Sequence, residues 1–295
     1  MPELPDITLY VEHLERRVVG ATLARVRVVS PSLLMTVDPP LDAIEGKRVS
    51  AVRRMGKRIV FVLENDLYLV LHLMVAGRLQ WKDPGAKIPA RVGLASFEFT
   101  TGTLVLTEAS TRRRATLHVV EGRRALVRLD PGGLEPLEVD TAAFAERLRS
   151  EDHTLKRSLT DPRLFSGIGN AYSDEILHRA QLSPMQHSVN LDDDEIARLH
   201  DAVRRVLIEW TERLRKETGD AFPTHVTAFR KEMAVHGKYK QPCPVCGTPV
   251  QRIVYAENET NYCARCQTGG RLLADRALSR LLRKDWPKTL EEMEA

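Results

Sequence analysis

The chain has 295 residues, 28% of them charged, and a formal net charge of +4. That length admits two domains, with a sizeable core in at least one of them. No run of about 18 apolar residues occurs, which argues against a membrane span. No basic segment followed by an apolar one opens the chain, as a secretory leader would. The expected location is therefore cytoplasmic, in or around the nucleoid.

Residues 6–19 read as an amphipathic helix, with Ile7, Val11, Leu14 and Val18 on one face and Gly20 as its stop. From about 22 to 128 the hydrophobic period falls to two. Ile59–Leu63 and Leu67–Leu71 flank a turn at Asn65-Asp66, and Phe97–Thr100 and Leu104–Leu106 flank a second at Gly102. This half is expected to be an antiparallel β-sandwich with a helix in front. Pro131-Gly132-Gly133 opens a turn-rich linker, and beyond it the pattern turns helical. The clearest helix, 193–217, is acidic at its start and carries Ile196, Leu199, Val203, Leu207, Trp210 and Leu214 at helical spacing, a core stripe. The expected fold class is α+β, divided as 1–130 sandwich, 131–140 linker, 141–240 helical domain, 241–270 four-cysteine zinc finger and 271–295 charged tail.

Basic residues cluster at Lys47-Arg48, Arg53-Arg54, Lys57-Arg58 and Arg112-Arg113-Arg114. Such clusters are the footprint of a phosphate binder, though a solvated face would look the same. All four cysteines fall in one stretch of 24 residues, as Cys243-Pro244-Val245-Cys246 and Cys263-Ala264-Arg265-Cys266 with 16 residues between. Two CxxC knuckles at that distance fit one tetrahedral structural zinc ion, Zn2+, per chain. A redox pair would need only one CxxC in a βαβ setting, which this pattern lacks.

Pro2 is small enough for Met1 to be trimmed, exposing a secondary amine. An α-amino group titrates at about 7.7–8.0, so part of it is unprotonated at neutral pH and can attack an anomeric carbon to form an iminium. Glu3 could carry the proton that ring opening needs. An ordinary N-terminus would look the same if the rest of the chain said nothing.

The rest of the chain does speak. Pro2-Glu3-Leu4-Pro5, Gly56-Lys57, His72-Leu73 with Gly77-Arg78-Leu79, and Leu134-Glu135-Pro136-Leu137 resemble motifs of the formamidopyrimidine-DNA glycosylase and endonuclease VIII family. The most specific segment is Gly167-Ile168-Gly169-Asn170-Ala171-Tyr172-Ser173-Asp174-Glu175-Ile176-Leu177, similar to that family's helix–two-turns–helix motif. The match runs from Pro2 to Gln267. The resemblance implies a base-excision glycosylase and abasic-site lyase that acts on damaged, abasic or single-stranded DNA as a monomer. In it Pro2 is the nucleophile, Glu3 the proton shuttle, and Lys57 an active-site lysine that holds phosphate. Lys156, Asn170, Arg78, Arg112, Arg113 and the finger-tip residue Asn258 are the expected DNA ligands. Met74, Val75 and Arg114 are the candidates for filling the hole left by a flipped base.

Four positions depart from the family pattern. Asn258 stands where relatives carry a phosphate-gripping arginine, and Arg252 and Arg265 sit elsewhere in the ribbon. Val75 occupies the wedge position, with Met74 one residue early. Arg114 replaces a phenylalanine, and Thr8 a glutamate. Pro2 and Glu3 favour an enzyme. Asn258 and the altered wedge favour an alternative, a protein of the same fold that binds damaged or branched DNA with little excision. A zinc-ribbon transcription factor would leave the N-terminal motif unexplained.

Overall fold

A computed structural model of the chain describes residues 1–224, 226–255, 258–274, 280–281 and 287–294. It forms two compact units. Met1–Pro131 and Trp210–Thr227 make the first, and Gly132–Glu209 and Ala228–Ala295 make the second.

In the first unit, helix α1 (Leu4–Val18) starts two residues earlier than its hydrophobic pattern suggests, because Glu3 and Asp6 close a capping box around its first turn. The Asp6 carboxylate accepts the Glu3 N–H at 3.0 Å. Eight strands follow: β1 (Thr22–Val28), β2 (Lys47–Met55), β3 (Arg58–Leu63), β4 (Leu67–His72), β5 (Gly77–Lys82), β6 (Gly93–Phe99), β7 (Gly102–Glu108) and β8 (Thr116–Glu121). Every pairing is antiparallel, in the order β5-β7-β6-β1-β2-β3-β4-β8. Between β1 and β2 only Thr22↔Arg48 and Leu23↔Lys47 pair, which makes a corner where the sheet turns into two four-stranded layers. Phe61 of one layer stacks on Phe99 of the other at 6.0 Å. Ile7, Tyr10, Leu14 and Val18 of α1 close the same core. The turn expected at Asn65-Asp66 is present, with φ of 62° and 56°. One expectation is corrected. The period-two region stops at Glu121, and Gly122 at φ 84° turns residues 123–127 into a short helix, α2 (Arg123–Val127).

In the second unit, α3 (Thr141–Arg149) is capped by Asp140, which accepts the Ala143 N–H at 2.8 Å. After α4 (Leu155–Thr160), a loop through Gly167, at φ 79°, and Gly169 leads into α5 (Asn170–Ala180). Helix α6 (Asp193–Thr218) begins in this unit and ends in the first, with all six stripe residues buried. The finger comprises β9 (Gln251–Tyr255), β10 (Asn258–Tyr262) and the short helix α7 (Ala264–Thr268).

The charged tail is not a bare appendage. Leu272 N–H donates to Lys288 O at 2.8 Å, Leu290 N–H to Gly270 O at 3.0 Å, and Leu273 N–H to the Tyr262 hydroxyl at 2.8 Å. Leu272 and Leu290, the latter opening α8 (Leu290–Glu294), bury against Tyr262, Ala264 and Ile253. Two leucines buried in this way contribute about 3 kcal/mol or more. A protein lacking 271–295 should therefore exchange the amides of β9 and β10 about a hundredfold faster, with the β1–β8 amides unchanged. Hydrogen-exchange mass spectrometry makes that comparison.

Candidate active site and nucleic-acid interface

Pro2 and Glu3 are both buried, just ahead of the first turn of α1. The N-terminal amine, on Met1 here, is held below its ordinary value of 8.0. Burial is the main cause, and the positive charges of Arg78 and Lys57 act the same way, opposed by Glu3 and Asp6. Four expected or neighbouring site groups thus converge electrostatically on the chain start. An amine that loses its proton readily is the form that attacks carbon.

Lys57 follows Gly56, which sits at φ 61° with its carbonyl accepting from Arg54 Nη1 at 3.1 Å. The next residue, Arg58, pairs with His72, and His72 pairs with Thr116. His72 is pushed down to about 4 by burial first, then by Arg58, Lys57 and His118. Its Nε2 is buried and makes no hydrogen bond among the described residues. A neutral imidazole among cations can donate to an anion's oxygen once one arrives.

Both crossings from β4 to β5 and from β7 to β8 lie at this end of the sheet, and Gly77 pairs with Glu108 across β5 and β7. In the first crossing Gly77 N–H donates to Leu73 O at 2.9 Å, and a Cβ on Gly77 would meet that oxygen at 2.3 Å. Met74 sits at φ 50° and is half-buried, while Val75 is 53% exposed at the tip. In the second crossing the buried Glu108 carboxylate accepts the backbone N–H groups of Arg114 (3.0 Å) and Ala115 (3.1 Å). That leaves Arg112, Arg113 and Arg114 on the exposed surface. Arg113 also donates to Arg91 O at 3.0 Å. All three wedge candidates therefore stand on neighbouring loops. Thr8 is half-buried on α1.

The second unit gathers the others. Lys156 Nζ donates to Asn170 O at 2.7 Å, Ser173 Oγ at 2.8 Å and Asp174 Oδ1 at 2.5 Å. Its three donors are spent inside the motif, so this ammonium braces the start of α5. Asn170 Nδ2 donates to Glu259 O in β10 at 2.9 Å. Asp174 Oδ2 accepts from His236 Nδ1 at 2.8 Å and from Asn261 N–H at 3.1 Å. Glu175 takes the N–H groups of Ala234, Val235 and His236 at 2.7–2.9 Å. Burial raises the Glu175 carboxyl above the usual range, and those three donors oppose the rise. Asn258 opens β10 opposite Tyr255, and its side chain lies outside the described residues.

The four cysteine sulfurs lie within 4.8 Å of one another, with Cys243–Cys266 at 3.9 Å and Cys246–Cys263 at 3.4 Å. Zinc with Zn–S bonds of about 2.3 Å needs sulfur–sulfur edges of about 3.8 Å. The set fits one structural zinc, with no position left for substrate. His178 Nε2 stands 3.3 Å from Cys243 Sγ. Burial, with the Arg179 charge, lowers that imidazole below its ordinary value.

Three family models cover most of the chain: the formamidopyrimidine-DNA glycosylase N-terminal domain over residues 1–119, the H2TH domain of that glycosylase over 133–219, and the zinc finger found in FPG and IleRS over 240–269. The formamidopyrimidine-DNA glycosylase of Symbiobacterium thermophilum is 32% identical over 280 residues, spanning 90% of this chain and 89% of that one. That of Thermus thermophilus is 34% identical over 283 residues, spanning 92% and 100%. This chain belongs to the formamidopyrimidine-DNA glycosylase family. Among solved structures, Lactococcus lactis Fpg in complex with DNA containing an abasic site is similar at a TM-score of 0.79 and 26% identity, over 90% of this chain and 99% of that one. LlFpg with a THF-DNA and an inhibitor gives 0.80 and 26%, over 90% and 100%.

Within this glycosylase fold, sequence reasoning missed Glu108, His178, His236 and the bridging carboxylate of Asp174. Glu108, Asp174 and His236 were single polar letters in apolar or mixed surroundings, and none sits at a spacing that betrays its partner. No helix among the described residues is long and apolar enough to cross a membrane.

The state of His72 has a consequence for stability. Its folded pKa of about 4 lies below the ordinary 6.5, so below pH 6.5 the unfolded chain takes a proton that the folded one refuses. This contribution is intact above pH 6.5, and up to about 3 kcal/mol of it is lost as pH falls to 4. A His72→Asn protein should lose less stability between pH 7 and pH 5 than the parent, measured by urea midpoints at the two pH values.

Proposed function

We propose that the chain is a DNA glycosylase with abasic-site lyase activity, acting through the amine of Pro2 once Met1 is removed. The observation that carries this reading is the burial of Pro2 and Glu3 at the chain start, with the charges of Glu3, Arg78 and Lys57 acting on its terminal amine. The Pro2 nitrogen attacks C1′ of an extruded nucleotide, and the C1′–N bond breaks as the base leaves with a proton. The sugar O4′ then leaves C1′ as a hydroxyl, taking its proton through Glu3, and the iminium remains. Loss of a C2′ proton expels the 3′ phosphate, and a δ-elimination of the 5′ phosphate can follow. Water releases the amine.

Lys57 and the neutral His72 are suited to phosphate oxygens on the first unit, and Asn170 on the second. Arg112 and Arg113 supply exposed charge, and Met74, Val75 and Arg114 are the candidates for filling the hole left by a flipped base. Zinc, when bound, holds the finger and supplies no chemistry. Damaged or abasic DNA is the partner, the working form is a monomer in the cytoplasm, and the segments 1–130, 131–140, 141–240, 241–270 and 271–295 are its functional divisions.

Borohydride trapping on an abasic oligonucleotide tests the chemistry. The expected result is a one-to-one covalent adduct through Pro2 in protein whose mass lacks Met1, with Glu3→Gln slowing excision by about 10²–10⁴. Fully active protein that keeps Met1 would overturn the nucleophile.

A second reading, binding with little excision, is favoured by Asn258 at the finger tip. A guanidinium there would make charge-assisted bonds of about 1.5–3 kcal/mol, against about 0.5–1.5 for a neutral amide. Excision of an oxidised base from duplex DNA should accordingly be weak, and Asn258→Arg should raise it about fivefold or more, with abasic single strands less affected. Strong parental excision that Asn258→Arg leaves unchanged would remove that meaning from the asparagine.

A further inference from the structure

Three strands of observation meet at Arg78, all within the first unit. Its guanidinium donates to backbone carbonyls on two segments far apart in sequence: Nε to Val226 O at 2.6 Å, and Nη1 to Gly77 O at 2.7 Å and Val75 O at 3.2 Å. The next residue, Leu79, donates its N–H to the Tyr10 hydroxyl at 3.3 Å, which fixes this end of β5 to α1. The strap, residues 219–224 and 226–227, is itself fastened to the same helix. Phe222 packs on Tyr10 at 5.8 Å and edge-on to His13 at 6.3 Å, with the Arg17 guanidinium 5.5 Å from its ring. Arg17 Nη2 also donates to Asp220 O at 3.0 Å, and Val226 is buried in the sheet core. The contacts close a ring that runs from α1 through Tyr10, β5 and Arg78 to Val226, and back through Phe222 to α1.

We propose that Arg78 is a positioning residue that locks the Leu73–Gly77 loop to the 219–227 strap beside the chain start, and that this lock favours substrates that still carry a base over abasic ones. The proposal rests on the glycosylase and lyase reading above. A nucleotide that keeps its base must be extruded and held while the tip at Val75 stands in for it, whereas an abasic sugar needs much less holding. With Arg78 in place, the tip and the strap cannot move apart. Lysine cannot replace it, because one ammonium lacks the planar fork that reaches two segments at once.

The experiment compares the parent with Arg78→Met, Arg78→Lys and Phe222→Ala. Each is assayed for excision of an oxidised base from a duplex and for borohydride trapping on an abasic strand, and each is examined by hydrogen exchange over 219–227. Loss of the lock should lower the ratio of excision to trapping about tenfold, the weight of one charge-assisted hydrogen bond. Exchange in the strap should rise in all three variants. Arg78→Met should also move the pH profile of trapping toward alkali, because one cation near the amine is gone. Arg78→Lys should restore that profile without restoring the ratio. Unchanged strap exchange and an unchanged ratio in Arg78→Met would overturn the lock. A parent that traps no abasic strand would instead overturn the lyase reading, and the exchange data would still decide whether the lock exists.

Discussion

A carboxylate with no exposed surface organises the second unit. Asp174 is fully buried, and a buried charge is tolerated only when it is paired and hydrogen-bonded. Its partners come from three places in the chain: Lys156 from α4, His236 from the segment before the finger, and Asn261 from β10. Satisfying one side chain therefore fixes the spacing between the two-glycine loop and the finger hairpin. Lys156 extends the effect by holding the Asn170 carbonyl, and Asn170 bonds directly to Glu259 in the finger. The network thus holds the start of α5 against β10 through side chains from three parts of the chain.

The first unit solves a different electrostatic problem. An α-amine is charged at neutral pH unless its surroundings disfavour the ammonium. At the chain start, burial and the charges of Arg78 and Lys57 disfavour the ammonium form of the Met1 amine. Glu3 and Asp6 oppose them, and the same two residues cap α1. The cap therefore places a carboxyl beside the amine at no added structural cost. Lys57 also acts on His72, whose imidazole burial and Arg58 push down to about 4.

Much of this was legible beforehand. Periodicity located α1, the paired strands and the stripe of α6, because those elements bury one face against a core and their spacing records it. The cysteine knuckles declared a metal site by spacing alone. Pro2, Glu3, Lys57 and Asn170 became visible only in combination, through family resemblance. What stayed hidden was long-range and polar. Nothing in the letters links Arg78 to Val226 or Asp174 to Asn261, since each partner is satisfied across a chain separation that no local period encodes. Lys156 shows the limit most clearly. Its position matched a family lysine, but its three bonds turn it inward. The tail was read as charged because its leucines are outnumbered, although Leu272 and Leu290 are what bind it to the finger.

The departures from the family pattern also acquire a physical order. At position 258 a neutral amide stands where the pattern has a guanidinium. On the sheet a cation, Arg114, stands where the pattern has a phenylalanine, beside Arg112 and Arg113. Glu108 fixes the backbone of that loop, through the N–H groups of Arg114 and Ala115, and Glu108 in turn pairs with Gly77 at the root of the Val75 tip. Against the family pattern, position 258 is neutral and the loop held by the buried Glu108 carboxylate carries one more cation. A guanidinium on such a loop offers a plane, a positive charge and five donors where a phenylalanine would offer an apolar ring alone. The loop that carries Arg114 is thus held by a buried side chain on the neighbouring strand, so the position of that cation depends on Glu108 as much as on the loop's own residues.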